Sequence, residues 1–369
     1  MQRAAVPRVL AFIEALGVTG PARNLLRTAG SVDLHLATYR RSWAGRSHHA
    51  GVDALVAAAS SRGAHVHVLD ERHAFDPTLL YKVRRTIADV RPDVVQSHNI
   101  KSHALVAWTR GGTRWVAFHH GYTDTDRKQR VYNRLDRWAL RRADAVVTTC
   151  GAFAADLSGS GIDPGRITVL HNAVEPPGPL EREAARRVLR LDREPVVVAV
   201  GRLSREKGHD LLIDACARLA PALRERILVV IAGDGPERAA LVRRAAARGL
   251  RLRLDGFQHD VRAWYAAADV FVLPSRSEGS PNVLLEALAA GCAVVASRVG
   301  GVAEIAADGV SARLVPAGDV PALSRGIETV LTDADLARRL RRGALTAASR
   351  FTPDARLTAL RAVYAQVRA

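Results

Sequence analysis

The chain has 369 residues, 48% of them hydrophobic and 25% charged, with a mean hydropathy of −0.02. This composition excludes a disordered chain, and no apolar run approaches the roughly 20 residues that a membrane-spanning helix needs. The net charge of +17 points to anionic partners, yet arginine supplies 50 of the 54 basic residues, a bias that genome composition produces as readily as function.

In chain order, short apolar β-like runs alternate with helical patterns. The first half carries Arg8–Ile13, Leu34–Thr38, His65–Leu69, Val94–Ser97, Trp115–Phe118 and Ala145–Thr149. The second carries Val196–Val200, Leu228–Ala232, Leu252–Leu254, Val270–Leu273, Val294–Ser297 and Arg313–Val315. Between them lie alanine-, leucine- and arginine-rich segments with apolar residues at helical spacing, such as Leu211–Leu219 and Leu284–Ala290. This alternation predicts parallel sheets covered by helices. The run Val6–Ile13 is short, is followed by Glu14 and lacks a cleavage-like end, so it reads as a first strand and not an export signal. A cytoplasmic protein is expected. The widely spaced Cys150, Cys216 and Cys292 fit reduced core positions better than a disulfide framework.

The proline-rich stretch Asn172-Ala173-Val174-Glu175-Pro176-Pro177-Gly178-Pro179 can continue neither a helix nor a strand, and marks the domain boundary. Two domains are expected, residues 1–175 and 176–350. The last segment, 351–369, reads as a helix over Pro353–Val367 with Leu357, Leu360, Val363 and Tyr364 on one face. Its docking site is not legible in sequence.

Chemistry-bearing residues gather after the strands. His98 and His103 follow Val94–Ser97, and His119 and His120 end the next run. A metal site is disfavoured there, because no carboxylate stands at helpful spacing and His119 and His120 alternate in direction. A single functional histidine is the better reading of this group. In Asp126–Arg142, Leu135, Trp138 and Arg142 lie near one helical face, which fits core packing beside a solvated face. The sharper alternative is a basic wall beside an acceptor pocket. Gly201-Arg202-Leu203-Ser204-Arg205-Glu206-Lys207-Gly208 follows Val196–Val200 and delivers two cations suited to a diphosphate, although a solvated loop has the same composition. Ala232-Gly233-Asp234-Gly235-Pro236 reads as a structural turn, and Gly256 and Phe257 border a candidate base pocket.

Ser275 to Leu288 is the most informative stretch. Ser280 is expected to cap a helix with Pro281 at its first position, Glu278 in the loop before it and Glu286 in its second turn. The free backbone N–H groups of Gly279, Ser280, Pro281 and Asn282's turn, proline's missing one excepted, would form an anion site. Two carboxylates beside such a helix end suit a ligand carrying both hydroxyls and phosphates.

Taken in order, Gly201-Arg202…Lys207-Gly208, Ala232-Gly233-Asp234-Gly235-Pro236 and Glu278…Glu286, with Asn172 and Gly300-Gly301-Val302-Ala303-Glu304, resemble the retaining, nucleotide-sugar-dependent glycosyltransferases of the GT-B fold, family 4. The resemblance covers most of Ile167–Ala317. It implies an α/β architecture of two facing doubly wound parallel-sheet (Rossmann-like) domains with a cleft, the first half binding acceptor and the second the nucleotide diphosphate-sugar. It implies that Arg202 and Lys207 hold the diphosphate, Glu286 the ribose, and Glu278 the transferred sugar, with backbone contacts around Gly279, Ser280, Pro281 and Asn282. In the first half it implies a phosphate contact at Gly20, an acceptor-side role for His98 and an active-site role for His120. Two departures stand out: Gly20-Pro21 replaces a glycine pair, and Cys292-Ala293 replaces an apolar residue followed by proline.

The implied reaction transfers a sugar from a nucleotide diphosphate-sugar to a glycan or lipid-linked acceptor, in polysaccharide, lipopolysaccharide or glycolipid assembly. No metal or cofactor is implied. Peripheral contact with an anionic membrane surface is compatible with the charge, whereas nucleic acid is not expected as a partner. A nucleotide-sugar epimerase or hydrolase, or a non-catalytic nucleotide- or glycan-binding subunit, would use the same donor residues.

Overall fold

The computed structural model describes residues 6–14, 17–74, 76–122, 127–178 and 180–369, so Asp126 and Pro179 of the stretches above lie outside the described residues. The chain divides into two compact units, Met1–His171 with Pro353–Ala369, and Asn172–Thr352.

The first unit holds a parallel sheet of β1 (Arg8–Phe12), β2 (Asp33–Arg41), β3 (His65–Glu71), β4 (Val94–Ser97), β5 (Arg114–His119), β6 (Ala145–Thr148) and β7 (Ile167–Val169). Their spatial order is β3-β2-β1-β4-β5-β6-β7. The second unit holds β8 (Val196–Val200), β9 (Leu228–Ala232), β10 (Leu252–Gly256), β11 (Val270–Leu273), β12 (Val294–Ser297) and β13 (Arg313–Val315), ordered β10-β9-β8-β11-β12-β13. Both are doubly wound α/β sheets, and together they make the GT-B fold. Central strands such as β8 and β11 are buried along their whole length, which is why they read as unbroken apolar runs. β7 escaped the sequence reading: it is three residues long and pairs only with β6.

In each sheet the strand order reverses once, between β1 and β4 and between β8 and β11. At such a switch point the connections leave to opposite faces and open a crevice at the strands' carboxyl ends. The segments carrying Gly20 and His98 leave from the first pair, and those carrying Lys207 and Glu278 from the second.

The final helix, Pro353–Arg368, belongs to the first unit. Leu360, Val363, Tyr364 and Val367 enter the core that β1, β4 and β5 build on one face of the sheet. Polar contacts fix its register: Tyr364 Oη accepts from Gln96 Nε2, and Arg361 Nη2 donates to Ser31 O at 3.1 Å. Leu357, placed by the sequence on the apolar face, is outside this buried set. Cys150, Cys216 and Cys292 are all buried, and burial pushes the thiols of Cys216 and Cys292 up to about 12.

Candidate active site

In the second unit, two loops interlock at the β8/β11 switch point. After β8 the chain passes through Gly201 and Arg202, turns as a short 3₁₀ helix over Arg205–Lys207, and enters the helix His209–Ala217 at Gly208. After β11 it runs through Ser275 to Ser280. Arg276 clamps the two together. Its guanidinium makes a bidentate pair with Asp210 at 2.8 and 2.7 Å, its Nη1 donates to Arg205 O at 2.8 Å, and its backbone N–H donates to Glu206 O at 2.8 Å. That fork holds the Asp210 carboxyl below its ordinary range against the opposing effect of burial.

Glu278 turns inward on this platform and is 8% exposed. Its Oε1 accepts from Lys207 Nζ at 2.8 Å and from Ser275 Oγ at 2.7 Å. Gly300 presses on the same loop from behind, with φ +47, and a Cβ there would lie 1.6 Å from Glu278 O. Gly301 N–H donates to Gly279 O at 2.9 Å, so the Gly300–Glu304 turn supports the Glu278 loop. The turn after β9 supports the other loop in the same way: Leu203 N–H donates to Asp234 O and Glu237 N–H to Leu203 O, each at 3.0 Å. Arg202 stands exposed at the edge of this platform, with no ion pair among the described residues.

The helix of this stretch spans Asn282–Ala289 and is capped at Pro281, one residue later than the sequence suggests. Ser280 does not cap it. Its Oγ accepts from Asn172 N–H at 2.9 Å, and Asn172 Nδ2 donates to Ser280 O at 2.6 Å. Asn282 Oδ1 is buried without a hydrogen-bond partner among the described residues. Glu286 lies in the second turn, and its Oε2 accepts from Tyr265 Oη at 2.9 Å. Tyr265 is a residue that sequence reasoning missed, because nothing in its own helix, Arg262–Ala267, marks it. Cys292, noted above as a departure, donates its thiol to Tyr265 O at 3.3 Å and so braces the residue that orients Glu286. Gly256 closes β10 in the left-handed region, φ +72, and the following Phe257 ring is 69% exposed.

In the first unit, Gly20 opens the short helix Gly20–Leu26 that follows β1, behind Thr19 and with Pro21 in its first turn. His98 and His120 leave the carboxyl ends of β4 and β5. Their rings stack with centroids 5.8 Å apart, and His98 also stacks on Phe118 at 4.6 Å. Both line a small cavity with Gln96, Asn24 and Arg356. His98 Nδ1, His120 Nε2 and Arg356 Nε are buried without hydrogen-bond partners among the described residues. Burial, followed by the neighbouring imidazoles and the Arg356 guanidinium, pushes His120 down to about 3 and His98 well below its ordinary value. Both rings are therefore neutral at physiological pH. Gly121 is required beside them: at φ +95, a Cβ there would lie 2.5 Å from the Phe153 ring.

Arg356 was also missed. It comes from the final helix, where its Nη1 donates to Leu170 O at 3.1 Å and His171 O at 2.6 Å.

A carboxylate does join the other two histidines, contrary to the spacing argument. Asp136 Oδ1 lies 2.6 Å from His103 Nδ1, and its Oδ2 accepts from Tyr122 Oη at 2.9 Å and stands 3.7 Å from His119 Nδ1. Burial would raise this carboxyl, but His103 and His119 pull it well below the usual range. Asp136 sits on the helix Arg127–Leu140, whose buried face is Asn133, Asp136, Ala139 and Leu140. Leu135, expected among the core residues, is instead 40% exposed and lines a second cavity. That cavity, of about 890 Å³, opens beyond the carboxyl ends of β2, β3 and β4 and is walled by Trp43, Tyr132, Arg41, Lys101, Glu14 and Glu71. Arg41 pairs with Glu14 and Glu71, and Lys101 pairs with Glu71 while lying 4.7 Å from the Tyr39 ring centroid. Its charges are thus largely compensated within the wall.

Residues 24–176 match the model of Glycosyltransferase Family 4, and residues 181–346 match that of Glycosyl transferases group 1. A lipopolysaccharide core biosynthesis glycosyltransferase of Rhizobium meliloti, LpsE, is 32% identical over 252 residues, 60% of this chain and 72% of the relative. This chain belongs to glycosyltransferase family 4. The α-maltose-1-phosphate synthase of Mycolicibacterium smegmatis is 35% identical over 232 residues, and the match spans 56% of this family 4 chain and 59% of the relative's length. Among solved structures, Anabaena HepE in complex with UDP superimposes with a TM-score of 0.84 over 97% of this chain and 100% of that one, at 20% identity. That likeness concerns the fold. No helix among the described residues is long and apolar enough to cross a membrane.

Proposed function

We propose that this protein is a retaining glycosyltransferase that moves a sugar from a nucleotide diphosphate-sugar to an acceptor hydroxyl. The observation that carries the reading is the meeting of Lys207 and Glu278 at the β8/β11 switch point, with the exposed Arg202 in the same loop as Lys207. Arg202 and Lys207 hold the diphosphate and stabilise the charge that develops as it departs. Glu286, oriented by Tyr265, takes the ribose hydroxyls, and Glu278 takes a hydroxyl of the transferred sugar. Gly279 to Asn282 lie at the start of the helix that carries Glu286, where backbone donors suit sugar or phosphate oxygens.

Gly256 and the exposed Phe257 border the base, which we assign as uracil. The UDP bound by the Anabaena neighbour supports that choice. In the first unit, we assign Gly20 a phosphate contact and His98 and His120 an acceptor-side role as neutral imidazoles, able to donate to or accept from a sugar hydroxyl. In the reaction the acceptor oxygen bonds to the anomeric carbon. The bond to the phosphate oxygen breaks, and the hydroxyl proton leaves with the nucleoside diphosphate.

The 890 Å³ cavity of the first unit, with Trp43 and Tyr132 as apolar platforms and compensated charges around them, suits a glycan or glycan-bearing lipid better than a bare anion. The relationship to a lipopolysaccharide core enzyme supports an acceptor of that class.

The test is a thermal-shift panel of UDP-, GDP- and ADP-sugars, followed by product analysis with and without a glycan acceptor. A UDP-sugar at about 100 times its Kd stabilises by roughly 2.7 kcal/mol. A flat panel refutes the donor assignment. Hydrolysis or epimerisation with no transfer refutes the transferase step alone.

A further inference from the structure

A second cluster of chemistry-bearing side chains lies at the other end of the first sheet, where β2 and β3 begin, away from the carboxyl ends that bear His98 and His120. Side chains alternate in direction along a strand. Asp33 and His35 therefore share one face of β2, and His65 and His67 share the same face of β3, with His35 registered directly beside His65. Leu34 and Leu36 turn the opposite way into the core.

The resulting group is tight. One ligand atom from each of Asp33, His35 and His65 lies within 4.8 Å of the others. His67 Nε2 is 3.1 Å from His35 Nδ1, and His35 Nε2 is 3.4 Å from Asp33 Oδ1. The His35 ring stacks on His65 and His67 with centroids 4.7 and 5.4 Å apart. His35 meets Asp33 through Nε2 and His67 through Nδ1, so Asp33, His35 Nε2 and His65 are the donors on one side, and His67 holds the His35 ring from the other.

Arg8 Nε occupies Asp33 Oδ2 at 2.7 Å and leaves Oδ1 on the histidine side.

We propose that Asp33, His35 and His65, with His67 fixing the His35 ring, form a binding site for a divalent transition-metal ion of the zinc class, which ties the edge strand β3 to β2. Imidazoles with a single carboxylate select Zn²⁺, Ni²⁺ or Cu²⁺ over Mg²⁺ or Ca²⁺, which prefer oxygen donors. The site is structural. It stands apart from the residues assigned to sugar transfer, and the strand it ties is the outermost of the sheet.

The test uses the full chain without a histidine tag, stripped with chelator and dialysed. Zn²⁺ is titrated by calorimetry, and Co²⁺ is followed by visible absorption. The expected result is one equivalent bound, a Co²⁺ spectrum of low coordination number, and a higher Tm with Zn²⁺. His65→Ala and His67→Ala, both near the sheet edge, weaken binding at least about tenfold. His73→Ala, outside the cluster, leaves it unchanged. Should either variant unfold without metal, His35→Gln in the same titration replaces it. Absence of a stoichiometric site overturns the proposal, as does binding that survives in the His65→Ala/His67→Ala double variant or that is lost in His120→Ala.

Discussion

Lys207 and Glu278 stand 71 residues apart in sequence and 2.8 Å apart in space, joined by an ion pair in which Glu278 is almost wholly buried. Glu278 also accepts from Ser275, so one side of its carboxylate is committed before any ligand arrives. Arg202, assigned to the same diphosphate, makes no such pair among the described residues.

That difference separates two substitutions with the same formal charge change. Arg202→Ala removes the proposed phosphate contact alone, and donor affinity is expected to fall by about 1.5–3 kcal/mol while Tm stays put. Lys207→Ala also strands the Glu278 carboxylate, costing a further 1–3 kcal/mol or so of folding stability after allowance for the partial exposure of Lys207. UDP titration and urea unfolding of both variants check the contrast. Equal stability losses would contradict the division of labour.

Tyr265 touches no proposed ligand, but its hydroxyl points Glu286. Tyr265→Phe removes one hydrogen bond to a carboxylate, worth about 1–2 kcal/mol, and is expected to raise KM for the donor several-fold with a smaller change in kcat. Glu286→Ala removes the proposed ribose contact itself and is expected to do more. A Tyr265→Phe enzyme with unchanged donor KM and reduced kcat would place the residue elsewhere in the reaction.

The elements that sequence reasoning found share one property, which is that their signal is local. β8 and β11 are apolar along their length because both faces are covered, and the Ser275–Leu288 stretch keeps both glutamates within nine residues of proline-led helix chemistry. What it missed comes from distant sequence. Asp136 reaches His103 from 33 residues away, Tyr265 reaches Glu286 from 21, and Arg356 arrives from a helix near the end of the chain. The helix start moved by one residue for a related reason: Asn172, 108 residues upstream, binds the Ser280 hydroxyl that a local reading assigns to the cap.

The buried histidines set how stability responds to acid. His120 is pushed down to about 3 and His209 to about 4, in both cases chiefly by burial. A histidine held below its unfolded value of 6.5 contributes full stability above that pH and loses it as pH falls toward the folded value. At pH 5 the loss is about 2 kcal/mol for each. Urea midpoints are therefore expected to drop steeply between pH 7 and pH 5, and His120→Gln should flatten the slope. A midpoint that is constant over this range would contradict the buried, neutral assignment.

The final helix should be indispensable to the first unit. Leu360, Val363, Tyr364 and Val367 are each less than a tenth exposed and sit in the core with β1, β4 and β5. Losing four such side chains forfeits about 6–12 kcal/mol of burial, comparable to the whole stability of a typical domain. Ending the chain at Thr352 is thus expected to unfold the first unit while β8 to β13 keep their own core. Circular dichroism and limited proteolysis would show a protected fragment near Asn172–Thr352. Arg356→Met tests the finer point. It keeps the helix but removes the donor to Leu170 O and His171 O and the charge beside His98 and His120, so its folding loss should be small against that of truncation. If transfer falls while UDP titration of the variant is unchanged from that of the parent, Arg356 acts through the histidine side of the proposed reaction.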